Sequence, residues 1–122
     1  MIKNMLLVGL GGGVGSMLRY ITIHWVYRLL EKPFPIGTLT VNVLGCFLAG
    51  LVSGLLVKLG GDERIRLLLM VGFCGGFTTF SAFAHENMGM MQNGNYLGVL
   101  LYITLSIVTG FTAVWLGMMV KL

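Results

Sequence analysis

Apolar residues in this chain do not alternate and do not keep to one narrow helical stripe; they run on in long blocks separated by short polar links. Four blocks are long enough to cross a membrane as helices: Met5 to Tyr27, Gly37 to Leu59, Ile65 to Met91 and Tyr96 to Val120. A hydrocarbon core about 30 Å thick needs about 20 helical residues, and each block meets that length. The links carry the turn chemistry. Glu31-Lys32-Pro33-Phe34-Pro35 has two prolines that stop one helix and start the next, Gly60-Gly61-Asp62-Glu63-Arg64 pairs glycines with charges, and Gln92-Asn93-Gly94-Asn95 is polar throughout. No linker, low-complexity tract or composition shift divides the chain, so residues 1–122 are expected to form a single four-helix transmembrane domain.

The third block breaks the pattern from inside. Gly72-Phe73-Cys74-Gly75-Gly76-Phe77-Thr78-Thr79-Phe80-Ser81 puts paired glycines and three hydroxyls at mid-block, and residue 78 is its midpoint. Each free backbone group in hydrocarbon costs several kcal/mol, so an irregular segment there survives only against protein, water or a bound ion. The glycines predict a helix loosened at Gly75 and Gly76. Phe77, Phe80 and Phe83 follow at helical spacing, which predicts three rings on one face. This stretch is the expected binding element, and the other helices its scaffold.

Composition agrees with the blocks. Hydrophobic residues make up 57% of the chain, charged residues 10%, and the mean hydropathy is +0.92. A soluble domain this small needs more charge to cover its surface, so the class is all-α integral membrane. The net charge of +4 comes from cations beside apolar blocks rather than from a patch or run, so no nucleic acid is expected. Cys46 and Cys74 lie within blocks, form no C-x-x-C pair and read as small buried thiols. Met5 to Leu10 resembles a signal-peptide core, but the apolar pattern continues past Arg19 without an A-x-A-like site, so it is read as part of a mature span.

Small residues four apart let helix backbones approach closely. They occur as Gly9 and Gly13, Gly11 and Gly15, as Gly45, Ala49 and Ser53, and as Thr109, Ala113 and Gly117. Polar residues recur on the same helices. Thr38 and Asn42 are four apart in the second, and Tyr102, Ser106 and Thr109 share a face in the fourth. Arg19 lies 14 residues after Met5, about 21 Å along a helix, either as an interfacial anchor or as a positive charge at a pore mouth. His24, Trp25 and Tyr27 nearby read as an interfacial belt. No acid lies deep in a block, since Glu86 is near the end of the third. Deep donors without carboxylates favour an anion over a cation or a proton-coupled substrate. His85-Glu86 has the wrong spacing for a metal pair. No nucleophile–base pair or cofactor motif is found, so an enzyme is not expected.

With these residues in place, the chain resembles a CrcB-type fluoride channel of the Fluc family over nearly its whole length. The most specific part is the string Gly72 to Ser81 with Phe83. Gly12-Gly13-x-Gly15-Ser16-x-x-Arg19-Tyr20 and Gly37-Thr38-Leu39-x-Val41-Asn42-x-x-Gly45-x-Phe47-x-x-Gly50 support it. The resemblance implies an antiparallel, dual-topology dimer of four-helix subunits, a homodimer by preference, in the cell inner membrane, with a third helix broken at mid-membrane and fluoride passing through two narrow pores. It implies a structural sodium ion held by backbone carbonyls at Gly75 and Thr78. It also implies fluoride-path roles for Phe80, Phe83, Asn42, Thr79 and Ser81, a vestibule role for Arg19, a pore-side position for Glu86, and a polar track of Tyr102, Ser106 and Thr109. Ala82 departs from the family, where a hydroxyl residue is common. Lys3, Lys58, Arg64, Arg66 and Lys121 share one face against Arg28 and Lys32 on the other, a bias that sits awkwardly with insertion both ways. A small multidrug-type exporter is the rival, but it wants a buried carboxylate in the first span, which has none. A non-transporting assembly subunit explains the small-residue faces but leaves the polar break without a purpose.

Overall fold

The structure, a computed structural model, describes Met1–Leu122. It is all-helical, and four helices are long and apolar enough to cross a membrane: Ile2–Leu30, Ile36–Lys58, Glu63–Gln92 and Tyr96–Met119. All four expected blocks are there. The first helix extends three residues beyond the expected block at each end. The links turn where the sequence allows. Gly60 and Gly61 both sit at φ +76°, a conformation glycine reaches without steric cost. Asp62 caps the third helix by accepting the Arg64 N–H at 2.9 Å, and that bond holds its carboxyl below the usual carboxylate range.

The helices pack as two pairs, and glycine decides both. The first helix lies along the first half of the third. Side chains at Gly11 and Gly15 would collide with backbone at Leu68, Phe73 and Phe77, and one at Gly76 with the backbone of Gly12. The second helix lies along the fourth, where Gly50 and Gly117 meet backbone to backbone. Of the expected small-residue stripes, Gly11 and Gly15 form a seam, whereas Gly9 and Gly13 face open space. Gly45 instead makes room for the Thr78 side chain, and Gly50, outside the expected stripe, carries the second seam. Cys46 is half-buried, Cys74 is buried, and both thiols are free.

The third helix is broken, but not at the paired glycines. It starts with one α-turn, Glu63–Ile65, continues as a π-helix over Arg66–Cys74, and closes with an α-turn at Gly75–Phe77. Gly75 and Gly76 stay helical; Gly76 serves close approach to Gly12 rather than flexibility. The chain becomes extended at Thr78 (φ −94°, ψ 159°) and Thr79 (φ −147°, ψ 116°), then resumes as the α-helix Phe80–Gln92. A π-helix is wider than an α-helix and occurs mostly as single turns, frequently at functional sites; a run of nine residues is unusual. Its presence leaves no mark in the hydrophobic pattern.

Candidate functional site

A helix that stops at mid-membrane must account for every N–H and C=O it frees. Thr78 N–H still closes on the Cys74 carbonyl at 3.1 Å, joined there by its own hydroxyl at 2.8 Å. Thr79 N–H would reach Gly75 in a continued helix but donates to Asn42 Oδ1 at 2.8 Å, while Asn42 Nδ2 donates to the Thr79 carbonyl at 3.1 Å. One side-chain amide thus replaces a neighbouring peptide. The Thr79 hydroxyl caps the second half by accepting Ala82 N–H at 3.2 Å and lies 3.3 Å from Ser81 Oγ. Arg19 Nε donates to the Gly76 carbonyl at 2.9 Å. Two carbonyls are left over. Thr78 O accepts no hydrogen bond from the chain, and Gly75 O has lost the Thr79 N–H.

The break also separates rings that the spacing places together. Phe77 ends the first half, is 5% exposed and stacks on Phe73 at 5.9 Å with planes 10° apart. Phe80 begins the second half and is 79% exposed. It lies 5.8 Å from Phe83, which meets Tyr102 edge-on at 4.9 Å, and Tyr102 meets Phe34 edge-on at 5.4 Å. Two extended residues rotate the chain between Phe77 and Phe80, so the expected three-ring face is a two-ring one.

Second and fourth helices run parallel past this element and contribute in layers. Asn42 meets Thr79 at the break, beside Ser106. One turn away, Thr38 and Tyr102 both donate to Glu86, to Oε2 and Oε1 respectively, each at 2.8 Å. Glu86 is therefore not a charge idling near a helix end: its carboxylate is gripped between helices, and Tyr102 is wholly buried. The interior is less free of acid than the sequence suggests. Thr109, the third member of the expected polar face, turns its hydroxyl back to its own Leu105 carbonyl.

Asn42, Thr78, Thr79, Phe80, Phe83 and Ser106 line a groove of about 310 Å³ on one face of the chain. The Ser106 hydroxyl has no hydrogen-bond partner. Cys46, Ile107, Gly110 and Phe111 complete the lining. Sequence reasoning missed them as site residues; only the four-residue spacing of Asn42 to Cys46 and of Ser106 to Gly110 pointed that way. Asn87 was missed as well: it is buried, donates to the Phe83 carbonyl at 2.9 Å, and its Oδ1 has no partner. Gly75, Thr78 and Arg19 gather at the break away from Glu86, and Ser81 is exposed beside Phe80. At the far end of the first helix Tyr20 stacks on His24 at 6.4 Å and the Arg28 guanidinium lies 5.6 Å over Trp25, an outward aromatic and basic cluster, whereas Tyr27, expected in the same belt, is half-buried against Gly37.

A family model described as "CrcB-like protein, Camphor Resistance (CrcB)" matches residues 6–118. A protein of Azobacteroides pseudotrichonymphae named "Fluoride-specific ion channel FluC" is 46% identical over 118 residues, 96% of this chain and 94% of its own length. Proteins of the same name from Phocaeicola vulgatus and Flavobacterium psychrophilum are 44% and 39% identical, over 95% and 98% of this chain and 96% and 97% of theirs. With a family match across all four spans and relatives alike end to end, this multi-pass membrane protein belongs to the CrcB-like family.

Proposed function

We propose that the protein passes fluoride passively down its gradient across the cell inner membrane and so relieves fluoride toxicity. The observation that carries this is the groove at the break, where two phenylalanine rings and an unpartnered serine hydroxyl converge at the middle of a membrane span. Fluoride is small and strongly hydrated, so a path for it must replace water with donors. Ser106, Ser81 and the second N–H of the Asn42 amide supply hydrogen-bond donors, and the positive edges of Phe80 and Phe83 add weak attraction without a trapping charge. Thr38 and Tyr102 hold the Glu86 carboxylate outside the groove lining, which keeps its charge from opposing an anion there.

A single chain leaves this site open: Phe80 is exposed and Gly75 has space beside it. The proposal is that a second copy, inserted in the opposite orientation, covers that face and completes each path as a homodimer. The Gly75 and Thr78 carbonyls fit a sodium ion, since hard cations take oxygen ligands and these two lack hydrogen bonds at membrane depth. Such an ion would supply fixed positive charge at the junction of the two copies. Liposomes carrying the purified protein should lose fluoride without a proton gradient and retain chloride. Comparable chloride loss, or strict dependence on a proton gradient, overturns the channel reading. A C-terminal tag should be reachable from both sides of the membrane; a tag confined to one side, with full fluoride flux, overturns the antiparallel homodimer.

A further inference from the structure

We propose that Arg19 is a positioning residue for the break, which caps the first half of the third helix at Gly76 and thereby holds the Gly75 and Thr78 carbonyls in the arrangement that takes up sodium. The inference rests on the sodium reading above. Arg19 is half-buried and pairs with no carboxylate; the chain's ion pairs are Arg64 with Asp62 and Arg66 with Glu63. A guanidinium this far inside a membrane protein needs a polar partner, and its partner is the Gly76 carbonyl at 2.9 Å. In a continued helix that carbonyl would take the Phe80 N–H, but Phe80 opens the second half. A cation at a helix C-terminus is also favoured by the helix dipole.

The geometry that brings Arg19 there is the glycine seam. Gly12 touches Gly76 backbone to backbone, and Gly15 does the same with Phe73 and Phe77. Arg19 comes one turn after Gly15, and its side chain reaches the helix end at the Gly76 carbonyl. On the other side Asn42 clamps Thr79 by two bonds. The segment between Gly76 and Thr79 is thus gripped from the first helix and from the second, and Thr78 lies within it. Removing one grip lets the carbonyls wander, although it also removes a positive charge that repels a nearby cation. The first effect is expected to prevail, because the guanidinium charge is already turned onto a carbonyl.

Thermal unfolding of the purified full-length protein in detergent tests this, with sodium chloride titrated against N-methylglucamine chloride at constant ionic strength. In the parent protein Tm should rise with sodium. In Arg19→Gln the half-saturating sodium concentration should rise about tenfold, the worth of one charge-assisted hydrogen bond. Arg19→Lys, which keeps a cationic donor, should show a smaller rise, and it decides alone if Arg19→Gln does not fold. A variant with lower Tm throughout but an unchanged sodium midpoint makes Arg19 a packing residue and overturns the inference; so does a midpoint shifted to lower sodium. A parent protein with no sodium response removes the sodium reading itself, and this inference with it.

Discussion

The two halves of the third helix begin with similar material and come to opposite ends. Both carry phenylalanine and glycine, and they are adjacent in sequence. The first half lies flush on the first helix, with Gly72 and Gly76 against the backbone at Gly11 and Gly12, and it buries Phe77 on Phe73. The second half turns Phe80 out and bonds to the second and fourth helices, with Asn42 on Thr79 and with Thr38 and Tyr102 on Glu86. The lesson is that ring type and spacing do not mark a site here. What marks it is the side of a two-residue extended segment on which the ring falls.

Glycine gives the sharpest way to break that contrast. Gly76→Ala pushes a methyl into the Gly12 backbone, whereas Gly75→Ala meets nothing nearer than Met70 O at 4.0 Å. Gly76→Ala should therefore abolish folded protein, read as loss of the monodisperse peak in size-exclusion chromatography. Gly75→Ala should leave each chain folded; if it nevertheless loses dimer, the space beside Gly75 is filled by a second copy.

Asn42→Leu comes next. It strips both bonds from Thr79, and leaving buried backbone groups unpaired costs about 1–3 kcal/mol each. Unfolding in denaturant should show a loss of about 2–6 kcal/mol on that basis. A loss under about 1 kcal/mol means the break is held by something other than Asn42.

The two rings then separate stability from flux. Phe77→Ile should lower Tm and leave fluoride flux per folded dimer as it was. Phe80→Ile and Phe83→Ile should assemble normally while flux falls roughly tenfold, the upper worth of a ring contact. Equal behaviour of Phe77→Ile and Phe80→Ile in both measurements would erase the distinction between the halves.

Ser106→Ala is the mildest. Its hydroxyl has no partner within the chain, so its removal loses no hydrogen bond and Tm should hold. A several-fold drop in fluoride efflux at constant Tm assigns the hydroxyl to the ion; unchanged efflux assigns it to packing.

What the sequence determined by itself is the membrane class, the four spans and several of the polar and aromatic residues that line the groove, Asn42, Phe80, Phe83 and Ser106 among them. These follow from block length, turn chemistry and composition, which are additive along the chain and need no partner to be read. The hydroxyl-rich stretch at mid-span also announced a break, because hydrocarbon cannot satisfy it. Its place, and what each residue does there, was decided only in three dimensions. Gly75 and Gly76 look like a hinge in sequence, yet Gly76 is helical because the first helix packs onto it, and the chain parts at Thr78–Thr79 because Asn42 from another helix takes over the backbone bonds of Thr79. Arg19, read from the sequence as an interfacial anchor or a charge at a pore mouth, donates to the Gly76 carbonyl, and Glu86, read as lying near a helix end, is held by Thr38 and Tyr102. Each of these depends on a contact 16 or more residues away, and which distant group satisfies a freed carbonyl or carboxylate is a matter of packing that no local pattern records.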